Sequence, residues 1–594
     1  MKATLFFKVL KNQIDIVRVP FSNRGSRLLV FKHPNRDHLY IKLAERLTSI
    51  QSGLDTYRFR SPYLQDLCFV DGEGMPLTYR LTTYPHALFF QTRLGQFVVV
   101  FSKNDTLAIG VPSNVRCGIR FRVSTQLWQQ DERGGSLKAV RNLAYQSNGR
   151  VLKNELSLER EAYLVEFIVE SGNDTAIHLN IRSDLQLDAA PSPFQATLAA
   201  AEKRWQDWFA KVPAVAEPYK KRYYYAWWVM ANNLVTPLGH VTHEAMMPSK
   251  VHYVGIWNWD TCFHTLAFRH VDPVLARDQL RAMLTCQLPD GMIPDAVYDE
   301  AVIDQIDHPI RAEVTKPPIM AWAALKLHEI DPDLDFLQEI YVPLVRWNAW
   351  WFSMNDDDVD GIVQYNHPYS SGLDDSPLWD YGMPAESPDL NTYLCVQMGS
   401  LAMIAEALGM EAESAMWRRR AAAIVHRMIE KFWDEEAGLF RALHDKQVIP
   451  VVTPFNLYPL WTGQLAAPIR DRLLAHLTHP DEFWGEYVIP SVARNDPHFD
   501  PETMWRGPVW VNINYVFIEA LRQIGQHQLA RELRDKTLRL IMNQPGISEY
   551  YNSETGKAPP QAAHTFGWTA AVFIDLAIQA SREEACGESI RRVR

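Results

Sequence analysis

The sequence predicts two regions of different class: an antiparallel all-β region over residues 1–184, then a large all-helical region over residues 216–594. Three observations predict this. The first third of the chain holds short runs rich in Val, Ile and Phe, divided by turn residues. From about residue 194 onward, apolar residues recur at helical spacing. The connections between the predicted helices are long and rich in Trp, Pro, Asp and Gly, and connections of that length inside a compact domain usually carry function.

The β region is read from ATLFFKVL, HALFFQT, QFVVVF, GIRFRV, AYLVEFIVE and AIHLNI, separated by turns such as SNRGS and VDGEG. GIRFRV alternates apolar and polar, as a strand with one wet face does. Such a set of strands suits a sandwich. The stretch LQLDAAPSP, from Leu185 to Pro193, reads as a linker, and with the helix-spaced ATLAAAEKRWQDWF it makes a connecting segment over 185–215.

The helices follow in order. PIMAWAALKLHEI and EIYVPLVRWNAWWFSM form a pair. GSLAMIAEALG lines up Leu401, Ile404, Ala405 and Leu408, and MWRRRAAAIVHRMIEKFW lines up Trp417, Ala421, Ile424, Met428 and Phe432. Further helices are expected over Val511–Gln523, Gln528–Ile541 and Trp568–Gln579. Several are apolar nearly all round, as helices of an inner layer are.

The totals narrow the function. A chain of 594 residues buries a large core. Its net charge of −10 argues against general nucleic-acid binding, which needs a basic face. The six cysteines, Cys68, Cys117, Cys262, Cys286, Cys395 and Cys586, form no CxxC pair, which reads as a reduced, cytoplasmic protein. The opening MKATLFFKVLKNQ is interrupted by Lys8 and Lys11, unlike a signal peptide, and no apolar run approaches the roughly 20 residues of a membrane span. The sequence does not indicate an oligomeric state.

Phosphate loops, HExxH zinc pairs and GxSxG elbows are absent from the sequence, and the 19 histidines form no ligand set. What remains is acids in ring-rich loops. VGIWNWDTCFH carries Trp257, Trp259 and Asp260; QLPDGMIPD carries Gln287, Asp290 and Asp295; SSGLDDSPLWD carries Asp374, Asp375 and Asp380; and MWRGPVWVNINY, SEYYNSETG and HTFGWTA lie late in the chain. Glycosidic cleavage asks for this composition. One carboxylic acid protonates the leaving oxygen, a second carboxylate activates water or attacks the sugar, and flat rings with amide or acid partners hold the pyranose. Each loop alone is also what a packed, solvated turn looks like.

Six of these motifs, WNWDTCFH, QLPDGMIPD, SSGLDDSP, WRGPVWVNINY, EYYNSETG and FGWTA, occur in the order found in glycoside hydrolase family 63. Over about Tyr219 to Ile578 the chain resembles this family of oligosaccharide α-glucosidases and mannosylglycerate or glucosylglycerate hydrolases, and more distantly the trehalases. The resemblance implies an (α/α)6-barrel catalytic domain with an N-terminal antiparallel β-sandwich, and hydrolysis with inversion. It implies Asp374 as general acid and Glu549 as general base, with Glu554 as a weaker rival in the same motif. It nominates Trp257, Trp259, Asp260, Gln287, Arg506, Gly507, Trp510 and Trp568 as the sugar-holding set, and Lys316 and Asp375 stand beside them as candidates. Three positions depart from the family pattern: Ser370 replaces a Glu, Asp375 an Asn and Ser553 a Pro.

The expected activity is therefore an inverting, exo-acting α-glycosidase, an α-glucosidase on a small or oligomeric glucoside. The alternatives are a mannosylglycerate, glucosylglycerate or trehalose-type hydrolase, in which Arg506 and Lys316 would matter for an acidic leaving group, and a carbohydrate-binding protein without turnover. No cofactor is required. The NDDDVDG turn places Asp356, Asp358 and Asp360 as in the first half of a calcium loop, but His367 stands where that loop needs its Glu, so any ion there would be structural Ca2+.

Overall fold

The computed structural model describes residues 2–46, 62–125, 127–138, 141–159, 162–182 and 193–593. Most of the expected linker, residues 185–192, lies outside them. The chain divides into two compact units. The first comprises Met1–Val212, Trp227–Thr236 and Lys250–Val254, and the second Pro213–Ala226, Pro237–Ser249 and Gly255–Arg594.

The first unit is built on two antiparallel sheets. One has six strands in the spatial order Leu28–Lys32, Leu39–Leu43, Leu64–Asp71, Arg116–Val123, Ala162–Glu170, Arg150–Glu159. The other has eight, in the order Arg80–Thr83, Leu88–Thr92, Gly95–Lys103, Thr106–Gly110, Ala176–Arg182, Asn142–Ser147, Gly134–Lys138, Leu127–Gln130. Rings from the two sheets meet: Phe69 lies 4.5 Å from Phe97 and 5.0 Å from Phe90, and Tyr145 lies 5.2 Å from Phe167. In Arg116–Val123 the buried residues Ile119, Phe121 and Val123 alternate with the half-buried Arg120 and Arg122. The helix Phe194–Ala210 covers the eight-stranded sheet, where Phe194 and Ala201 pack with Val98, Val100 and Ala108.

One expected strand is a helix. ATLFFKVL lies within the helix Lys2–Leu10. Its buried residues Phe6, Phe7 and Leu10 fall on one helical face while Leu5 stays exposed. Phe6 stacks on Phe209 at 4.2 Å. Packing against another helix outweighed the weak strand preference of the run.

The second unit is mainly helical, and burial alternates along the chain. Asn258–Phe268, Met320–His328, Pro388–Ala407, the 3-10 segment Pro454–Thr462, Val511–Gln523 and the start of Gly567–Val593 are buried nearly all round. Between them, Pro273–Leu284, Leu334–Met354, Glu411–Phe432, Ala467–Leu477 and His527–Met542 bury one face and expose the other. The expected face Trp417, Ala421, Ile424, Met428 and Phe432 is buried. Among the described residues, no helix is long and apolar enough to cross a membrane.

Candidate active site

All the nominated residues belong to the second unit, and short ladders tie their loops together. The two-residue strand Ile256–Trp257 pairs with Ala296–Val297, which brings two motifs side by side. Asn258 N–H donates to the Asp295 carbonyl at 3.0 Å, and Asn258 Nδ2 to the Pro294 carbonyl at 3.2 Å. Thr315 joins two more loops: its Oγ1 donates to the Ile293 carbonyl at 2.5 Å, and its N–H to Ser370 Oγ at 3.3 Å. The late motifs are joined likewise. Val509 and Tyr551 exchange backbone hydrogen bonds of 2.7 and 3.0 Å, and Glu549 N–H donates to the Ala563 carbonyl at 2.9 Å.

The loop bearing Asp374 turns at Gly372, whose φ of 73° belongs to the left-handed region. A Cβ there would lie 2.4 Å from the Trp259 ring, so glycine answers both the turn and the contact. Trp379 Nε1 closes the loop on the Leu373 carbonyl at 2.8 Å. Two side chains fasten this loop to the late one. Asp375 Oδ1 accepts the Trp505 N–H at 2.9 Å, and Arg506 makes a two-point pair with Asp380 at 2.6 and 2.9 Å.

At the centre lies a buried charge cluster. Lys316 is 3% exposed, and its Nζ sits 2.8 Å from Asp295 Oδ1, 2.5 Å from the Tyr369 carbonyl and 3.9 Å from Asp374 Oδ1. Asp374 keeps 23% of its side-chain surface accessible although Oδ1 itself is buried. Burial pushes the Asp374 carboxyl up; Lys316 opposes this, Asp295 and Asp375 add to it, and the result is a pKa of about 7. Asp260, in the first turn of its helix, is raised well above the carboxylate range by burial. Lys316 pulls it down, while Glu549 and Asp295 push it up. Glu549 is 3% exposed, and its Oε2 accepts the Ala563 N–H at 3.1 Å. Asp260 thus feels both Lys316 and Glu549. Glu554, the rival acid, is exposed.

A wall of rings adjoins these acids. Trp505 and Trp510 stack at 3.7 Å with planes 3° apart. Trp568 meets Trp510 at 5.6 Å and Trp259 at 5.2 Å, both edge to face, and Tyr550 lies 4.7 Å from Trp510. The Lys316 ammonium lies 5.6 Å from the centre of the Trp257 ring.

Two further nominated residues contact the protein itself. Gln287 Nε2 donates to the Gly291 carbonyl at 2.8 Å and to the Pro343 carbonyl at 2.7 Å, holding its own loop. Gly507 admits the Asp500 carbonyl, 2.5 Å from where its Cβ would be. Sequence reasoning did not nominate Asp295, Trp505 or Tyr550. Asp295 carried a usable signal, because Ile293 and Ala296–Val297 flank it with apolar residues, and a buried acid calls for a cation. The Asp356, Asp358 and Asp360 carboxylates can converge within 4.8 Å. Lys431 pairs with Asp360 and Glu386 and lies 3.7 Å from Asp358.

The arrangement can deliver and accept protons around an ether oxygen, and comparison with known proteins agrees with that chemistry. Residues 253–569 match the mannosylglycerate hydrolase MGH1-like glycoside hydrolase domain. The chain is 28% identical to the mannosylglycerate hydrolase of Thermus thermophilus, covering 55% of this chain and 95% of that one. It is 29% identical to a probable mannosyl-oligosaccharide glucosidase of Schizosaccharomyces pombe, covering 55% of this chain and 50% of that one. A bacterial glucoamylase solved with acarbose shares the fold over 94% of each chain, with a TM-score of 0.56 and 10% identity. With that match over more than half of its length, the chain belongs to the MGH1-like glycoside hydrolases of family 63 and is a glycosidase.

Proposed function

We propose that the protein hydrolyses an α-glucoside from its non-reducing end with inversion, Asp374 serving as general acid and Glu549 as general base. The observation that carries this is the buried Lys316 ammonium, 3.9 Å from Asp374 Oδ1 and 2.8 Å from Asp295 Oδ1, set among acids. Asp374, raised to about 7, shares Lys316 with Asp260, and Asp260 in turn feels Glu549. A carboxyl that is half protonated near neutrality suits a proton donor. In the reaction, Asp374 gives its proton to the glycosidic oxygen as that oxygen leaves the anomeric carbon. Glu549 takes a proton from the water that bonds to the opposite face. The ring wall and Asp260 would orient the sugar. An inverting pair needs its carboxyls roughly 6.5–9.5 Å apart to admit that water. The alternation of buried and half-buried helices supports closure as an (α/α)6 barrel, and the ring contacts between the two sheets support a β-sandwich.

A neutral leaving group is favoured over glycerate by one feature. The two cations nominated for an acidic aglycone are both paired with protein carboxylates: Arg506 with Asp380, Lys316 with Asp295. The match to mannosylglycerate hydrolases favours the second reading, an α-mannoside or α-glucoside of glycerate. Proton NMR on a panel of neutral α-glucosides, α-mannosides and glycerate glycosides decides both questions. Release of β-glucose from a neutral glucoside is expected. Release of the α-anomer, or turnover of glycerate glycosides alone, would overturn this assignment.

A further inference from the structure

Lys316 has three ammonium protons, and the structure surrounds it with three oxygens. Asp295 Oδ1 at 2.8 Å and the Tyr369 carbonyl at 2.5 Å are fixed partners, one beside the first helix of the site and one on the Asp374 loop. The third oxygen is Asp374 Oδ1, at 3.9 Å. It is buried and has no hydrogen-bond partner among the described residues. The ammonium therefore lies too far from Oδ1 for a full hydrogen bond, yet close enough to attract a carboxylate there.

The other groups around the pair are accounted for. Asp260 and Asp295 act on Lys316, and Asp295 and Asp375 act on Asp374. Trp257 covers the ammonium with its ring, and the nearby His367 is kept neutral by burial, its pKa lowered to about 4. Lys316 is thus the cation of a cluster otherwise made of acids.

Resting on Asp374 as the acid, we propose that Lys316, anchored by Asp295 and the Tyr369 carbonyl, is a positioning residue for that acid. It fixes the Oδ1 edge and stabilises the carboxylate left behind when the proton departs. The charges balance in this step. The Asp374 O–H bond breaks, its proton joins the leaving oxygen, the electron pair of the broken C–O bond stays on that oxygen, and the negative charge appears on Asp374 beside Lys316. Asp295 moderates the cation, so that Asp374 still holds its proton near neutrality. The two partners pull in opposite directions, and this gives the proposal its test.

The experiment compares pH profiles of kcat/KM for wild type, Lys316→Met, Asp295→Asn and Lys316→Arg on a glycoside that the wild type cleaves. In Lys316→Met the descending limb is expected to move up by about one pH unit or more, with kcat at least about tenfold lower. In Asp295→Asn, where Lys316 acts without its counter-ion, the limb is expected to move down. Lys316→Arg should keep the wild-type limb. A parallel measurement needs no substrate: the 13C-carboxyl titration of Asp374, assigned by its loss in Asp374→Asn, should shift in the same two directions. Unmoved limbs and an unmoved titration in variants that fold as wild type does by circular dichroism would overturn the proposal, even with activity lost. Should Lys316→Met fail to fold, the downward shift in Asp295→Asn and the retained limb in Lys316→Arg decide it. Full turnover in Asp374→Asn would instead refute the assignment of the acid, while the titration still judges the charge coupling.

Discussion

A proton donor must still carry its proton when the substrate arrives, and must release it once the bond begins to break. In its proposed role Asp374 would stand between these demands: burial raises it, and Lys316 restrains the rise, to about 7. The active form is the acid, so activity depending on Asp374 is present below about pH 7 and falls as pH rises through that value. A descending limb of kcat/KM near pH 7 is expected, and a profile flat up to pH 9 would contradict the role. Asp374→Asn removes the proposed proton donor and should lower kcat/KM by about 10²–10⁴-fold, with a similar loss in Glu549→Gln. Initial rates on a cleaved glycoside check both. At this scale the sequence nominated Asp374 and Glu549 through the resemblance of their motifs to a family, because carboxylates beside Gly, Pro and Trp also occur in ordinary solvated turns. Asp295 was quoted there within QLPDGMIPD but not chosen, because no short-range pattern says that a lysine 21 positions later will meet it. Gln287 and Gly507 show what the folded loops add. Their residue types suit a sugar site, but their bonding to the Gly291 and Pro343 carbonyls and their close approach to Asp500 arise from the folded loops.

The loop from Ser370 to Tyr381 behaves as one element because both of its sides are fastened. Gly372 seats it against Trp259, Asp375 accepts the Trp505 N–H, and Asp380 holds Arg506 at two points. Asp375 is therefore better placed to fix the acid than to bind sugar. Asp375→Ala leaves the Trp505 N–H without its acceptor and should cost about 1–3 kcal/mol of stability. A shift of the acid by about 1 Å would lower kcat by about 10²-fold. Kinetics at saturating substrate, paired with urea denaturation, test this: an unchanged kcat would show that the fastening does not position Asp374. Long elements were legible in the sequence because their period repeats; Val511–Gln523 begins and ends where its apolar spacing does. The two-residue ladders that join the loops, such as Ile256–Trp257 with Ala296–Val297, were not, because two residues carry no period. ATLFFKVL misled for a related reason. Eight apolar-rich residues fit a buried strand or a short helix, and only the partner, here Phe209, separates them.

At the scale of the whole molecule, the second unit is organised by its fully buried helices, and polar residues placed between them must be paired. Asp575, on the last of these helices, accepts from Arg269 Nη2 at 2.7 Å and from the Tyr515 hydroxyl at 2.8 Å, and lies 2.8 Å from His270 Nε2. Its side chain is 1% exposed. Residues from three segments, remote in sequence, thus meet at one carboxylate. Burial alone would raise Asp575, but Arg269 and His270 more than reverse this and hold it far below the usual carboxylate range. A folded-state pKa below the unfolded value contributes stability above about pH 4, and that contribution is lost as pH falls further. Asp575→Asn removes the buried counter-ion of the Arg269 guanidinium and leaves it only the exposed Glu329 at 3.8 Å, which should cost about 3–5 kcal/mol near neutral pH. The same variant should flatten the acid side of the stability curve, because the group that gains a proton below pH 4 has been removed. Urea midpoints for both proteins from pH 3 to pH 8 measure the two effects together. A neutral-pH loss that persists undiminished at pH 3 would mean that Asp575 contributes through shape and hydrogen bonds alone, not through its charge.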